Sequence, residues 1–268
     1  MSLTSHIKIA KRNTKITPRL HNYLNKTDGV KIESEKLKEK ILEILSPSVN
    51  DRSGHFHPSQ LYQCKRHQIF DFYNVNSDSK SYNPTLQNLF NDGHFRHLRW
   101  QIMLMNAGIL TDIEVSATIP ELRLGGSIDG VNADEKWIFE LKGTSQYAKV
   151  SKTGAMPAHI QQVNAYMMAS GYDQALIVYE CKSSQQWIEI EVKKDPVIIA
   201  ELEQILLELN QSIDTGKLPE VLHECQNKTG RFDKCPHSGI CMGVKQVSDF
   251  NKVISPKRRS APNKRPTK

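Results

Sequence analysis

Residues 125–143 read GGSIDGVNADEKWIFELKG, and this stretch combines the pattern of a buried strand with charges that a buried strand does not tolerate. Its apolar and aromatic run at 137–141 predicts an interior strand. Glu140 and Lys142 interrupt the run, and they share one face because successive strand residues alternate between faces. Pairing with the preceding segment would bring Asp129 beside them. We therefore expect two carboxylates and an ammonium at one edge of an apolar sheet.

These three charges need partners, because burying them unpaired would cost several kcal/mol. A divalent cation between the two carboxylates would provide one, and hard oxygen ligands of this kind suit Mg²⁺ or Mn²⁺. Such an ion lowers the pKa of a bound water and neutralises charge on a phosphoryl oxygen, while Lys142 would hold the water or the phosphate. The alternative is a solvent-exposed strand face with ordinary salt bridges. The three residues alone leave both interpretations open.

The periodicity of the chain changes from helical to strand-like before this stretch. Apolar residues recur at helical spacing over 33–45, a second helix can begin at Pro58, and a longer one follows Pro84 and ends at Gly108. Helices first, and then strands with an inserted helix, predict an α/β (α+β) domain. The predicted strands are 112–118, 122–131, 136–142, 174–181 and 186–192, and the predicted later helices are 155–171 and 196–213.

The net charge of +7 is concentrated at the two ends of the 268-residue chain. Residues 1–26 contain six Lys and Arg, residues 252–268 contain seven, and neither segment contains Asp or Glu; residues 27–251 therefore hold 23 basic against 29 acidic residues. Cationic ends suit a polyanion such as nucleic acid, or they are simply solvated. The predicted organisation is a basic flexible arm at 1–30, a helical region at 31–110, a core at 111–214, a cysteine-containing segment at 215–245 and a basic disordered tail at 246–268.

The sequence gives no indication of a membrane protein. No apolar run approaches the roughly 20 residues that span a bilayer, and the N-terminus lacks the apolar segment of a secretory signal. The same basic, acid-free N-terminus also resembles a transit peptide. Rather than a protein imported through such a peptide, we expect an intracellular, cytoplasmic protein without a membrane partner.

Four short motifs follow one another along the chain: GHFRH at 93–97, GSIDG at 126–130, ELK at 140–142 and QVNAY at 162–166. An aspartate followed after ten residues by Glu-Leu-Lys resembles the motif of the PD-(D/E)xK nuclease superfamily. The upstream GxxxH and downstream QxxxY elements are similar to those of its RecB-like branch. This resemblance implies a bacterial or phage-encoded protein with a restriction-endonuclease-like core, in which helices flank a mixed central sheet.

The same resemblance assigns roles to individual residues. Lys142 would assist the attacking water, and Gln162 and Tyr166, four apart on one helix face, would contact the substrate backbone or orient Lys142. The implied catalytic residues are Asp129, Glu140, Lys142, Gln162 and Tyr166. The implied ligands of Mg²⁺ or Mn²⁺ are His97, Asp129, Glu140 and the main-chain carbonyl of Leu141, with His94 as the alternative histidine.

Three of the five cysteines, Cys225, Cys235 and Cys241, crowd one irregular segment that has too few apolar residues to fold by itself. Disulfides are not expected without a secretory signal, so these thiols suggest a metal site that needs a fourth ligand. The remaining cysteines lie elsewhere: Cys181 ends an apolar strand, where we expect it to pack as a small hydrophobe. Cys64 lies in SQLYQCKR, before the predicted core.

That SQLYQCKR segment resembles the first-cysteine element of RecB-like nucleases that carry a [4Fe–4S] cluster, such as the AddB nuclease domain and CRISPR-associated exonucleases. The resemblance therefore implies a cluster held by one cysteine before the core and three after it. The nine residues between Cys225 and Cys235 are more than the family commonly has. Zn²⁺ with a contribution from His237 or His223 is the alternative. The implied cluster ligands are Cys64, Cys225, Cys235 and Cys241.

The activity implied by the resemblance is metal-dependent hydrolysis of DNA phosphodiester bonds, by a single-stranded DNA exonuclease acting in recombination, repair or end processing. A structure-specific endonuclease of the same fold and a non-catalytic DNA-binding subunit are the alternatives. Arg66, Lys149 and Lys152 are candidate contacts to the DNA backbone. Any ATP-driven unwinding would need a helicase or recombination partner, because the chain has no GxxxxGK[ST] sequence.

Overall fold

A mixed sheet forms the centre of the protein. The computed structural model describes residues 12–26, 32, 34–45, 53–75, 84–230 and 235–250. In these residues the sheet has five strands in the order β1-β2-β3-β4-β5, with β3 and β4 parallel and the other neighbours antiparallel. The strands are β1 (Asp112–Ile119), β2 (Leu124–Asn132), β3 (Trp137–Thr144), β4 (Gln174–Cys181) and β5 (Trp187–Lys193). Helices flank the sheet, so the predicted α+β class with a mixed central sheet is confirmed.

The predicted helices are observed in their expected order, one of them divided, and the described residues form four further α-helices that were not predicted. The α-helices of the described residues are α1 (Ile16–Leu24), α2 (Glu35–Leu45), α3 (Lys65–Phe72), α4 (Pro84–Asn106), α5 (Tyr147–Thr153), α6 (Pro157–Ser170), α7 (Pro196–Thr215), α8 (His223–Gln226) and α9 (Ser238–Cys241). The helix predicted to begin at Pro58 is divided into a 3-10 turn, Pro58–Gln60, and α3, with Cys64 at the N-cap of α3. Among the described helices, none is both long and apolar enough to cross a bilayer.

The two faces of β3 are buried against different helices. Ile138 lies in the core beneath α6, together with Tyr179 of β4. Phe139 and Leu141 lie in the opposite core, which α1, α2 and α4 cover. Glu140 alternates with these two residues and therefore leaves the sheet on the α6 side. The strand period predicted this arrangement, and it places the charged residues of the motif under one helix.

Residues 12–26 contradict the predicted flexible arm, because a buried carboxylate anchors them. Glu189 of β5 has no exposed surface, and it accepts main-chain N–H groups of Lys15 at 2.8 Å, Ile16 at 3.0 Å and Thr17 at 2.9 Å. These are the N–H groups that a helix start leaves without partners, and the negative charge also suits the helix dipole. The rest of the predicted arm, residues 1–11 and 27–30, lies outside the described residues.

We expect Glu189→Gln to lower the free energy of unfolding by about 1–2 kcal/mol, because the amide loses the charge and one of the two acceptor oxygens that cap α1. Hydrogen exchange should show that the amides of 16–24 lose protection first. Glu203→Gln, an exposed position on α7, is the matched control. Unchanged protection of α1 in Glu189→Gln would contradict this account of the N-terminal segment.

Residues 246–250, the first part of the predicted disordered tail, are ordered in the structure. Residues Val247–Asp249 form a 3-10 turn closed by a capping box between Gln246 and Asp249. Phe250 is buried and its ring packs on Phe70 of α3. The C-terminal cysteine segment is therefore fastened to the helical region. Residues 251–268 lie outside the described part of the chain.

Candidate functional site

The first candidate site lies where β2 and β3 separate. The two strands pair only over 130–132 and 137–139. Beyond that point Oδ2 of Asp129 accepts the main-chain N–H of Leu141 at 2.8 Å, so a side chain replaces the strand ladder. The sequence predicted that these charges lie at a sheet edge. This prediction is wrong, because β3 is the third of the five strands. The charges lie in a fork inside the sheet.

The histidine on α4 faces this fork. Nδ1 of His97 lies 3.1 Å from Oδ1 of Asp129. His94, the alternative predicted from the sequence, is exposed one turn earlier on the helix. The structure therefore brings His97 to the carboxylate, and Asp129 uses one oxygen for the histidine and the other for the main chain of β3.

A buried carboxylate on β4 holds α4 in place. Glu180 accepts Arg96 at 2.7 Å and Trp100 Nε1 at 3.1 Å, and it also bonds Arg99. Arg96 directly precedes His97, so this anchor fixes the part of α4 that carries the histidine. Sequence analysis missed Glu180, because its partners lie about 80 residues away along the chain. The only local signal was that Arg96, Arg99 and Trp100, three potential hydrogen-bond donors, lie within about one turn of a predicted helix and could share one acceptor.

Glu140 is the most enclosed charge of the site. It is 2% exposed, and its Oε1 lies 2.6 Å from Lys142 Nζ and 2.8 Å from Gln162 Nε2. Its Oε2 is buried and has no hydrogen-bond partner among the described residues. A buried carboxylate oxygen without a partner is costly, which makes it a strong candidate for cation coordination.

The helix α6 brings the QxxxY residues to the same carboxylate. Gln162 accepts Lys142 Nζ at 2.8 Å through Oε1, and its Nε2 donates to Glu140 and lies 3.3 Å from the hydroxyl of Tyr166. The amide thus fixes the positions of the ammonium and the carboxylate relative to each other. The predicted i,i+4 face is observed, and Gln162 contacts Lys142; that it orients the lysine for catalysis stays a prediction.

The charges shift one another's pKa values. Burial favours the neutral forms, but opposite charges reverse that effect for three groups. Burial alone would raise the pKa of Asp129, yet the charge of His97 contributes to lowering it. Burial alone would lower the pKa of His97, yet the charge of Asp129 contributes to raising it. Burial, followed by the negative charge of Asp129, raises the pKa of Glu140 to about 7. Burial opposes the charge of Lys142, but Glu140 and Asp129 together outweigh it and raise the lysine pKa.

This arrangement can bind a cation and position an anion. Asp129 and Glu140 offer the hard oxygen donors that suit Mg²⁺ or Mn²⁺, and His97 adds an imidazole nitrogen. In the described residues the ligand atoms of these three are not all within 4.8 Å of one another. A cation there would relieve the like charges of Asp129 and Glu140, the interaction that raises the glutamate pKa. Lys142 lies beside the donors with its positive charge, as the nucleophile-orienting role implied by the resemblance requires.

The second candidate site is a cavity of about 310 Å³ between α3 and the C-terminal segment. Burial and the neighbouring thiols raise the pKa of Cys225, a shift that a bound metal would reverse by stabilising the thiolate. Cys181 is at the end of β4 and does not line this cavity. The four predicted ligands all line it: Cys64, Cys225, Cys235 and Cys241.

Arg66 belongs to this second site as a structural residue, and its prediction as a DNA contact is corrected. The side chain is 4% exposed. Its guanidinium donates to the carbonyls of Pro219 at 2.7 Å and Cys241 at 2.7 Å, and Nε lies 3.2 Å from Cys241 Sγ. Arg66 therefore fastens α3 to the segment that carries Cys241. The local sequence could not reveal partners about 175 residues away.

Beside the cysteines lies a group that the sequence analysis did not identify. His67, Asp71 and His237 place three potential ligand atoms within 4.8 Å of one another. Each histidine Nε2 lies 3.1 Å from a different oxygen of Asp71, and Gln60 donates to the same carboxylate at 2.9 Å. Burial would raise the Asp71 pKa, but hydrogen bonds from the two histidines outweigh it and lower the pKa well below its usual range. Both oxygens of the Asp71 carboxylate thus have partners.

Two further predicted DNA contacts, Lys149 and Lys152, are exposed on α5, which follows β3 directly. They are accessible to a ligand, and their role stays a prediction. The cationic tail that was proposed to bind polyanions lies in residues 251–268, outside the described part of the chain.

No protein-family model matches the chain, and no curated protein matches it. Among solved structures, an alkaline exonuclease from Laribacter hongkongensis is 19% identical, with a TM-score of 0.47 over 61% of this chain and 90% of that one. The protein SSO0001 is 20% identical, with a TM-score of 0.47 over 76% and 93%. A phage-related exonuclease from Haemophilus somnus 129PT is 13% identical, with a TM-score of 0.40 over 55% and 78%. At these identities and scores, what the chain does must follow from its own residues.

Proposed function

We propose that this protein is a metal-dependent deoxyribonuclease that hydrolyses phosphodiester bonds. One observation carries the proposal: Oε2 of Glu140 is buried without a hydrogen-bond partner among the described residues, in a fork shared with Asp129, His97 and Lys142. By contrast, both oxygens of Glu180, the carboxylate that anchors α4, are paired.

The residues of the fork have distinct roles in this proposal. His97, Asp129, Glu140 and the carbonyl of Leu141 would hold Mg²⁺ or Mn²⁺, which supplies charge neutralisation at the phosphate and acidifies a bound water. Lys142 orients the nucleophilic water and offsets negative charge that develops on the phosphoryl oxygens. Gln162 holds the ammonium against Glu140, and Tyr166 supports the amide from the next helical turn.

DNA with a free single-stranded end is the substrate we propose, which makes the enzyme an exonuclease. The exposed lysines of α5 follow β3, the β-strand that carries Lys142. In that position they could hold the phosphate backbone of the DNA. The proposed setting is recombination, repair or end processing, with a helicase or recombination protein as partner.

The cysteine cavity favours a [4Fe–4S] cluster over a single zinc ion. Four thiolates around one tetrahedral Zn²⁺ lie about 3.8 Å apart, since Zn–S bonds are about 2.3 Å. Among the described residues, no three of the cysteine sulfurs come within 4.8 Å of one another. A larger metal group would fill this wider arrangement. We therefore propose an iron–sulfur cluster held by Cys64, Cys225, Cys235 and Cys241.

The test of the function is digestion of end-labelled linear and internally labelled circular single-stranded DNA by anaerobically purified protein, with Mg²⁺, Mn²⁺ or EDTA. We expect metal-dependent loss of the linear strand while the circle stays intact. Cutting of the circle would replace the exonuclease with an endonuclease of the same fold. Binding without degradation under either metal would overturn the catalytic proposal in favour of a DNA-binding subunit.

Metal binding should release protons in a pH-dependent way. The Glu140 pKa of about 7 lies above its ordinary value of 4.5, so its contribution to stability is full below pH 4.5 and is lost as the pH rises through 7. A cation must displace that proton. We expect Mn²⁺ to release about one proton from Glu140 near pH 6 and almost none by pH 9, with His97 adding to the release wherever it is protonated.

Calorimetry in two buffers with different ionisation enthalpies measures this release. In Glu140→Gln, which cannot titrate, the release from this group should vanish and the affinity should fall. A release that stays constant from pH 6 to pH 9 would show that the fork does not bind the ion through Glu140.

A further inference from the structure

His159 of α6 faces the same sheet surface as the catalytic lysine. Its Nδ1 lies 2.7 Å from the hydroxyl of Tyr179. Tyr179 is the β4 partner of Lys142 in the parallel register, so both side chains leave the sheet on the α6 side. His159 also precedes Gln162 by three residues, and residues at that spacing share a helix face. The histidine is therefore a neighbour of the site that the motifs do not include.

The hydrogen bonds of Tyr179 decide which nitrogen of His159 carries the proton. The tyrosine hydroxyl accepts the main-chain N–H of Met156 at 3.0 Å and has no exposed surface. If Nδ1 of His159 donated as well, the hydroxyl proton would have no acceptor among the described residues. The hydroxyl therefore donates to Nδ1, which places the histidine proton on Nε2.

The Nε2–H of His159 is then a fixed donor without a described partner. The side chain is half-buried, and this nitrogen is not among the fully buried polar atoms that lack a partner, so solvent or a ligand can reach it. Burial, followed by the positive charge of Lys142, lowers the His159 pKa to about 4, which keeps the ring neutral at neutral pH. A neutral donor beside an ammonium suits an anionic oxygen that Lys142 also attracts.

We propose that His159 binds the substrate strand, donating from Nε2 to a non-bridging oxygen of a phosphate next to the scissile one. This inference rests on the proposed nuclease function and adds a substrate-binding residue to it. Tyr179 acts through His159 as a positioning residue, because its hydroxyl selects the tautomer. The contact exists before and during the reaction, so it lowers the dissociation constant of the strand more than it raises turnover.

The test compares His159→Leu with His159→Gln, whose terminal amide keeps a donor near the position of Nε2. A labelled single strand carries a neutral methylphosphonate at one linkage at a time. Fluorescence anisotropy with Ca²⁺ gives the dissociation constants, and digestion with Mg²⁺ gives turnover. We expect His159→Leu to weaken binding of the unmodified strand roughly tenfold to a hundredfold, and Gln to restore much of it. His21→Leu, an exposed position on α1, is the matched control.

The modified strands separate a direct contact from a structural role. In the wild type, a methylphosphonate at the phosphate that His159 contacts should weaken binding, and in His159→Leu that position alone should cause no further loss. Penalties that add at every position would overturn the proposal, even if His159→Leu is less stable. Tyr179→Phe is the second variant: it keeps the ring of His159 but frees its tautomer, so it should reduce the same position-specific penalty.

The two proposals fail in different ways. If the wild type degrades no strand, but the position-specific binding penalty of the wild type is absent in His159→Leu, the nuclease function is overturned and His159 is retained as a phosphate contact. A wild type that digests DNA, with penalties independent of His159, would do the reverse.

Discussion

Lys142→Met should lower the rate of DNA hydrolysis by about a thousandfold while the protein stays folded. The substitution removes the ammonium that lies 2.6 Å from Glu140 and 2.8 Å from Gln162, but it keeps most of the side-chain volume. Loss of a positioned charge at a developing oxyanion, together with a less well-oriented water, is worth a factor of this size. Digestion of end-labelled single strands under single-turnover conditions measures it.

The effect on metal binding must be measured separately. Lys142 lowers the pKa of Glu140, so its removal raises that pKa further and weakens cation binding at neutral pH. Saturating Mn²⁺ above pH 8 therefore isolates the loss in the chemical step. Lys193→Met is the matched control: Lys193 is exposed and pairs with Gln174, five residues from Tyr179, the partner of Lys142. If Lys142→Met kept activity within tenfold of the wild type under these conditions, the role proposed for Lys142 in the chemical step would be wrong.

The local parts of the site could be predicted from the sequence. Strand alternation placed Glu140 and Lys142 on one face, and helical spacing placed Gln162 with Tyr166, because both periods act over a few residues. The position in a fork rather than at an edge could not be predicted, since it depends on where β2 stops pairing with β3. That stopping point is set by tertiary contacts.

The anchoring contacts lie outside what local patterns describe. Glu189 caps a helix about 170 residues earlier in the chain, and Arg66 bonds carbonyls about 150 to 180 residues later. In the sequence, Arg66 is a basic residue two positions after Cys64 and suggests a contact to DNA. Residues 12–26 belong there to a basic, flexible N-terminal arm. Burial reversed both interpretations, and burial at such distances follows only from the assembled fold.

The cysteine site should contribute more to stability than any single core side chain. Cys64 at the start of α3 and Cys241 at the end of α9 line one cavity, although 177 positions separate them. A metal group that binds only the folded arrangement adds its binding free energy to folding. The surrounding protein is already arranged for it, since Arg66 holds α3 against the carbonyl of Cys241.

We therefore expect Cys64→Ala, purified without oxygen, to lose most of its iron and its visible absorbance. Its Tm should fall by roughly 10 °C, because several kcal/mol of binding free energy are lost from a domain of this size. Cys181→Ala is the matched control, since this thiol lies on β4 outside the cavity, and it should keep iron, colour and Tm. Analysis of iron, acid-labile sulfide and zinc identifies the group in the wild type.

The outcomes separate the structural role of the metal group from its chemistry. If Cys64→Ala loses the metal and stability but the remaining folded fraction digests DNA at the wild-type rate, the cluster acts only as a clamp between α3 and the C-terminal segment. Zinc without sulfide in the wild type would mean that the sulfurs move closer together than the described cavity places them. A Cys64→Ala protein with unchanged metal content and Tm would contradict the proposed four-cysteine site, because Cys64 is the proposed ligand from α3, on the opposite side of the cavity from the C-terminal segment.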